Sequence, residues 1–266
     1  RSLHGLTVRR SHPGNPQSPF GRHTSWNLVR GLLGTGPQEI IESSMVQLIA
    51  AATLIVGAQA SYDWHDIVQT NFKDASFTAK AVKGVQKELQ KINKEFAYSY
   101  RFDSMDAKIK EPAKLRVETV VEESRVFYIV SGTKKHYNLG GRAKYTEDVS
   151  KAPGKRQTAL DFGIITPSMF QDPFVAKFLR VDRDSGDLVF DLTYQTPKYD
   201  DTSRHRVWVD KAKRYITKRV WFNQEGGQLA TFIYENPKNK DGVWFPTRCT
   251  VKNNDDKVAG ITEYTK

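Results

Sequence analysis

The chain has 266 residues, 38% of them hydrophobic, and a formal net charge of +11, which suits one large domain or two modest ones. Lysine and arginine are interspersed with aspartate and glutamate rather than gathered in a dense run. The basic balance therefore reads as a solvated surface, and nucleic acid is not expected as a partner. Cys249 is the only cysteine, which excludes an intrachain disulfide and a cysteine-based metal cluster.

Residues 1–44 are rich in Arg, Ser, His, Gly and Pro and show neither helical nor strand periodicity, so they read as a non-native leader or a disordered extension. Residues 45–60 read as a signal peptide. Leu48 to Val56 has the length of an apolar signal core and is too short to span a bilayer. Ala58-Gln59-Ala60 supplies the small-residue cleavage site, although nothing basic lies between Met45 and the apolar run. Cleavage after Ala60 leaves Ser61, not the cysteine of a lipoprotein precursor, at the mature terminus. A soluble exported protein of the periplasm is the expectation, with residues 61–266 as a single domain.

In that domain, Phe77, Ala81, Val85, Leu89 and Ile92 recur at helical spacing with lysines between them, predicting one long helix over 61–96. From Phe96 the period becomes two, through Tyr98, Tyr100 and Phe102. Lys114 to Val121 is a predicted strand with Leu115, Val117, Thr119 and Val121 on one face. Val126 to Val130 is apolar on both faces and is expected to lie centrally, with Lys135 to Leu139 pairing back. Residues 140–155 read as loop and edge, and Arg156 to Phe162 as one or two helical turns. Thr166-Pro167 and Asp172-Pro173 each look like an N-cap followed by proline, predicting two short apolar helices that carry Met169, Phe170, Phe174 and Phe178. Asp187 to Tyr194 returns to strand, and Arg204 to Tyr264 reads as successive hairpins punctuated by Asn, Asp, Gly and Pro. The absence of a βαβ rhythm favours a mainly β (α+β) fold. The expected architecture is one large, curled antiparallel sheet of ten or eleven strands, an incomplete barrel covered by the long helix and the short inserted helices.

Catalytic motifs are missing: there is no nucleophile elbow, no zinc-protease motif, no P-loop and no dinucleotide fingerprint. Asp182 to Asp187 superficially resembles a calcium loop, but its glycine comes one position early and no glutamate closes it, so a hairpin turn is expected. His65, His136 and His205 are isolated from one another in sequence. No catalytic residue, metal or cofactor is expected, and the protein is not expected to be an enzyme.

Several stretches together resemble the LolA-like outer-membrane lipoprotein-sorting proteins. They are Glu111-Pro112-Ala113-Lys114-Leu115-Arg116, Thr166-Pro167-Ser168-Met169-Phe170, Arg206-Val207-Trp208-Val209-Asp210, Trp244-Phe245-Pro246-Thr247-Arg248 and Ala259 to Tyr264. The resemblance spans roughly Phe77 to Lys266. It implies an incomplete barrel with a helical lid, acting as a monomeric carrier of lipoprotein acyl chains or lipid between an inner-membrane donor complex and an outer-membrane acceptor. Leu115, Val117, Phe127, Ile129, Met169, Phe170, Phe174 and Phe178 are the expected lining of its apolar cavity. An envelope sensor or scaffold that uses the same half-barrel to bind a lipidated or protein partner is the alternative. One position departs from the family pattern. Carriers of this family have an arginine immediately before the strand-motif proline, holding the lid; this chain has Glu111 before Pro112, and Arg116 has no matching role.

Overall fold

The computed structural model describes residues 61–121, 123–139, 144–195 and 203–265. The expected leader and signal peptide lie outside the described residues. A sheet of thirteen antiparallel strands organises the rest, in the order β6-β5-β4-β3-β2-β1-β15-β14-β11-β10-β9-β8-β7. The sheet does not close: β6 (Lys144–Asp148) and β7 (Phe174–Val181) are its two edges. A separate hairpin of β12 (Lys238–Lys240) and β13 (Val243–Phe245) projects from the meander instead of joining it.

The sheet contains two local meanders. The first runs from β1 (Asp74–Gly84) through β2 (Ser104–Lys110), β3 (Lys114–Val121), β4 (Ser124–Ser131) and β5 (Lys134–Leu139) to β6. The second runs from β7 through β8 (Leu188–Tyr194), β9 (Arg204–Val209), β10 (Ile216–Phe222), β11 (Gln228–Glu235) and β14 (Arg248–Asn253) to β15 (Val258–Thr265). They meet in mid-sheet, where β1 pairs with β15 and Thr78 lies opposite Thr265.

Among the described residues, no long helix covers the sheet. Residues 74–84 form β1, and only two short helices follow, Gln86–Ile92 and Lys94–Ser99. The stretch fits two periods. Phe77, Ala81 and Val85 recur at helical spacing, while Ala75, Phe77, Ala79 and Ala81 alternate. The second prevails because β2 and β15 offer ladder partners on both sides, and Phe77 and Ala79 then point into the core. The alternation expected at Phe96 to Phe102 also gives way. Asn93 caps the second helix, its Oδ1 accepting from the backbone N–H of Glu95 and Phe96.

The second proline signal is likewise overridden, since Phe174 to Val181 is strand, not helix. Phe174 is buried, Ala176 and Phe178 are half-buried, and Val175 and Lys177 are exposed, the alternation of a strand that pairs with β8. Thr166-Pro167 does open a 3-10 turn, Pro167–Phe170. The turn Ala159–Phe162 lies in the stretch expected to hold one or two helical turns, and a further turn, Pro153–Lys155, precedes it in the stretch expected to be loop.

Those three turns belong to one segment, residues 149–173, which joins β6 to β7. Its ends attach to the two edge strands, yet Arg156 near its start lies 2.8 Å from Asp172 near its end, so the segment loops inward and returns. It does so on the apolar inner face: Leu160, Phe162, Ile164, Ile165 and Met169 join one core cluster with Phe77, Val207, Val209 and Phe232. We call this segment the strap. The N-terminal stretch lies over it. Ile67 and Val68 are fully buried, and the N–H of Gln69 donates to the Ile165 carbonyl at 3.1 Å. The Gln69 carboxamide also pairs with the Trp244 backbone, donating at 2.9 Å and accepting at 2.7 Å, which fixes the side hairpin against this layer. A smaller apolar cluster of Val189, Trp208 and Val220, flanked by Leu179 and Phe222, lies outside the main core. The Lys218 ammonium sits 3.7 Å from the centre of the Trp208 ring in that cluster.

Candidate functional site

The register places the expected lining residues on two faces. Leu115 is opposite Ile109 and Val130, and Val117 is opposite Ala107 and Tyr128, all on the inner face. Phe127 is opposite Glu118, and Ile129 is opposite Arg116. These two therefore occupy the other face, where the Arg116 guanidinium lies over the Phe127 ring and Arg116 and Arg125 pair with Glu118. A run apolar on both faces has no period by which to tell inside from outside. The inner members of that run are Tyr128 and Val130, and sequence reasoning missed both.

The remaining expected residues come together. Leu115, Met169 and Phe174 are buried, while Val117, Phe170 and Phe178 pack half-buried against the same core. Phe170 stacks on Trp64 with ring centres 5.1 Å apart, and Phe178 meets Tyr62 at 5.2 Å, so the N-terminal stretch shields both phenylalanines. The interior, expected to be an open cavity, is occupied by the strap's own side chains. The pocket reaching it holds about 20 Å³, roughly the space of one water.

Charged side chains make three of the polar contacts that fasten the strap to the sheet. The Ser168 hydroxyl donates to Glu111 Oε1 at 2.9 Å, so the position at which the resemblance leads one to expect a lid-holding arginine does touch the strap, through a carboxylate. Arg156 Nη1 donates to the Gly132 carbonyl at 3.1 Å and to Asp172 Oδ2 at 2.8 Å. Arg219, on β10, reaches Asp161 of the turn Ala159–Phe162 at 2.9 Å. Its guanidinium is buried and lies 4.0 Å from the centre of the Phe232 ring. Burial opposes the charge of Arg219, and Tyr234 and Asp161 outweigh that penalty, so its pKa is raised above the ordinary arginine value. Cys249 lies in the same apolar layer, and burial pushes its thiol up to about 12, which keeps it protonated and unreactive at neutral pH.

His205 is buried between the rings of Phe174 and Trp221, and its Nδ1 has no hydrogen-bond partner among the described residues. Burial, assisted by the charge of Arg219, holds its pKa well below the usual 6.5. An unfolded histidine takes up a proton below about pH 6.5, whereas the folded one refuses it. Stability contributed by neutral His205 is thus complete above about pH 6.5 and falls as the pH drops below that value, by at most about 1.4 kcal/mol per pH unit. Urea midpoints measured between neutral and mildly acidic pH should show this slope, and His205→Phe should flatten it. An unchanged slope in that variant would assign the acid sensitivity elsewhere.

Among the described residues, no group of three His, Cys, Asp or Glu could hold a metal ion, and no helix is long and apolar enough to cross a membrane. The hairpin turn expected at Asp182 to Asp187 is present, closed by the Asp182 N–H donating to the Asp187 carbonyl at 2.8 Å. Asp182 Oδ2 also accepts from the Trp208 indole at 2.9 Å.

No family model and no curated protein matches the chain. Solved structures similar to it include a domain from Vibrio parahaemolyticus named for outer membrane lipoprotein sorting, at 16% identity and a TM-score of 0.47, covering 73% of this chain and 83% of that one. A LolA superfamily protein from Nitrosomonas europaea matches at 14% identity and a TM-score of 0.49, covering 76% and 88%. Both are LolA-like. A DUF1329 family protein from Desulfovibrio piger matches at 9% identity and a TM-score of 0.41, over 73% and 84%. The first two carry the family name to which the sequence resemblance points, and none of the three fixes a function for this chain.

Proposed function

We propose that the protein is a non-catalytic periplasmic carrier that shelters the acyl chains of lipoproteins, or of lipids, and delivers them towards the outer membrane. The observation that supports this reading is the strap. It enters from one sheet edge, leaves at the other, and lays Leu160, Phe162, Ile164, Ile165 and Met169 on an apolar inner face. Lifting it would uncover apolar surface on the sheet that an acyl chain can cover in its place. Exposing such a chain to water costs about 0.8 kcal/mol per CH₂, so a carrier must exchange one apolar cover for another without leaving either bare. The described conformation, whose pocket at Arg156 holds about 20 Å³, is on this reading the closed, unloaded form.

The reading is tested by native mass spectrometry of protein purified from the periplasm of expressing cells, with titration of a synthetic triacylated lipopeptide alongside. A co-purifying lipid or lipopeptide, or lipopeptide affinity in the micromolar range, is the expected result. If neither is seen, the carrier reading fails. Recovery of a stoichiometric membrane-protein partner without any bound lipid would support the sensor or scaffold alternative.

A further inference from the structure

Arg156 is a buried cation with three of its five N–H donors unused among the described residues. Its side chain is 3% exposed, and Nη1 alone is engaged, by the Gly132 carbonyl and the Asp172 carboxylate. Nε and Nη2 are buried without a partner among the described residues. Those two nitrogens share one edge of the planar guanidinium, and their N–H bonds run nearly parallel, the arrangement that grips an oxygen acceptor. Leaving buried donors unpaired is costly, so an edge of this kind calls for an acceptor.

The surroundings specify which acceptor. Arg156 lines the pocket of about 20 Å³ together with Leu115, Val130 and Met169, so the donor edge faces space for a single small atom bordered by apolar side chains. Four ionisable side chains line the same pocket, and their charges cancel: Arg156 and Lys114 against Glu111 and Asp172. A carboxylate entering there would add a net charge to a balanced set and a second oxygen for which there is no room. A neutral carbonyl oxygen would not, and one oxygen atom matches the space available. We infer that Arg156 reads the head of the ligand, its Nε–Nη2 edge donating to the neutral ester or amide carbonyl at the end of an acyl chain.

This assignment rests on the carrier reading and adds to it a substrate class, acyl chains with an uncharged carbonyl head. It gives Arg156 two roles, with Nη1 fastening the strap and the Nε–Nη2 edge binding ligand, whereas the Glu111–Ser168 contact is a fastening alone.

The test is displacement of a fluorescent apolar probe from the full chain by dodecane, methyl laurate and laurate. Wild-type protein should bind methyl laurate roughly tenfold more tightly than dodecane, and more tightly than laurate. Arg156→Gln should bring methyl laurate and dodecane to one common affinity, so the readout is the ratio between the two ligands. Arg156→Lys keeps one charged donor for Gly132 and Asp172 but lacks the paired edge. It should lose the same preference while holding the wild-type thermal midpoint, which covers the case in which the glutamine variant fails to fold. If both folded variants retain the ester preference, or if laurate is the tightest ligand, the assignment is overturned and the carrier reading stands. If the wild type binds none of the three, the carrier reading itself falls.

Discussion

Asp161→Ala should destabilise the protein by about 3 kcal/mol, a fall in the thermal midpoint of roughly 6–12 °C for a domain of this size. The aspartate holds the strap from two sides. Oδ1 accepts from Arg219 Nη1 at 2.9 Å, and Oδ2 accepts from the Thr158 N–H at 3.0 Å, closing the capping box of the turn Ala159–Phe162. Removing the carboxylate uncaps the turn and strands a guanidinium that is buried among Phe232, Tyr234 and Cys249. The stranded charge is the larger effect, because a buried ion pair is worth little against an apolar substitute, yet losing one member leaves the other desolvated and unpaired. Arg219→Met combined with Asp161→Ala should therefore recover much of the loss. Urea unfolding followed by tryptophan fluorescence checks both variants. A wild-type midpoint in the single variant, or no recovery in the double, would show that the pair does not hold the strap in place.

Gly163→Ala should cost as much or more. Gly163 ends the turn Ala159–Phe162 at a φ of +79°, a left-handed conformation that costs an alanine about 1 kcal/mol or more. Space is the second obstacle. A Cβ there would lie 2.8 Å from Tyr234 Cδ1 and 2.9 Å from Pro246 Cγ, inside van der Waals contact with two rings that are themselves packed. The Gly163 carbonyl accepts from the Ile216 N–H at 3.2 Å, so the backbone is pinned and cannot retreat without losing a link to the sheet. Loss of about 3 kcal/mol or more, or failure to accumulate in soluble form, is expected. Gly132→Ala is the control. Its φ is also positive, at +59°, but no atom lies within 4 Å of the added carbon, so it should show the conformational cost alone. Equal midpoints for the two variants would remove the packing argument.

The strands that could be read directly share one property: a local alternation that matched their burial. Lys114 to Val121 and the hairpins from Arg204 to Tyr264 are examples, and the register confirms the inward placement of Leu115 and Val117. Residues 74–84 could not be settled locally, because one lysine-studded stretch fits a helix and a strand, and only pairing with the distant β15 decides between them. Phe174 to Leu179 was obscured in the same way, by a proline signal overridden by β8. At the site, the apolar members Met169, Phe170 and Phe174 were legible because hydrophobic residues concentrated in a short stretch have few places to go but inward. Phe127 and Ile129 were not, since their side of the sheet is set by the partners across the ladder. Arg156 and Arg219 left no signal at all. A charged residue reads as surface, and only folding brings Asp172 and Asp161 beside them.

The seam at which β1 meets β15 bears on how the molecule comes to be folded. Every other pairing in the sheet joins strands that are neighbours in sequence or separated only by the side hairpin; at the seam, Thr78 must find Thr265. Each meander can thus assemble from short-range contacts, while their union waits on a search across nearly the whole described chain, the kind of contact that slows folding most. Until that search ends, β1 and β15 are open edges whose unpaired amides can recruit any extended segment nearby. A newly made copy is then most prone to aggregate through the strands that end up at the centre of the finished sheet.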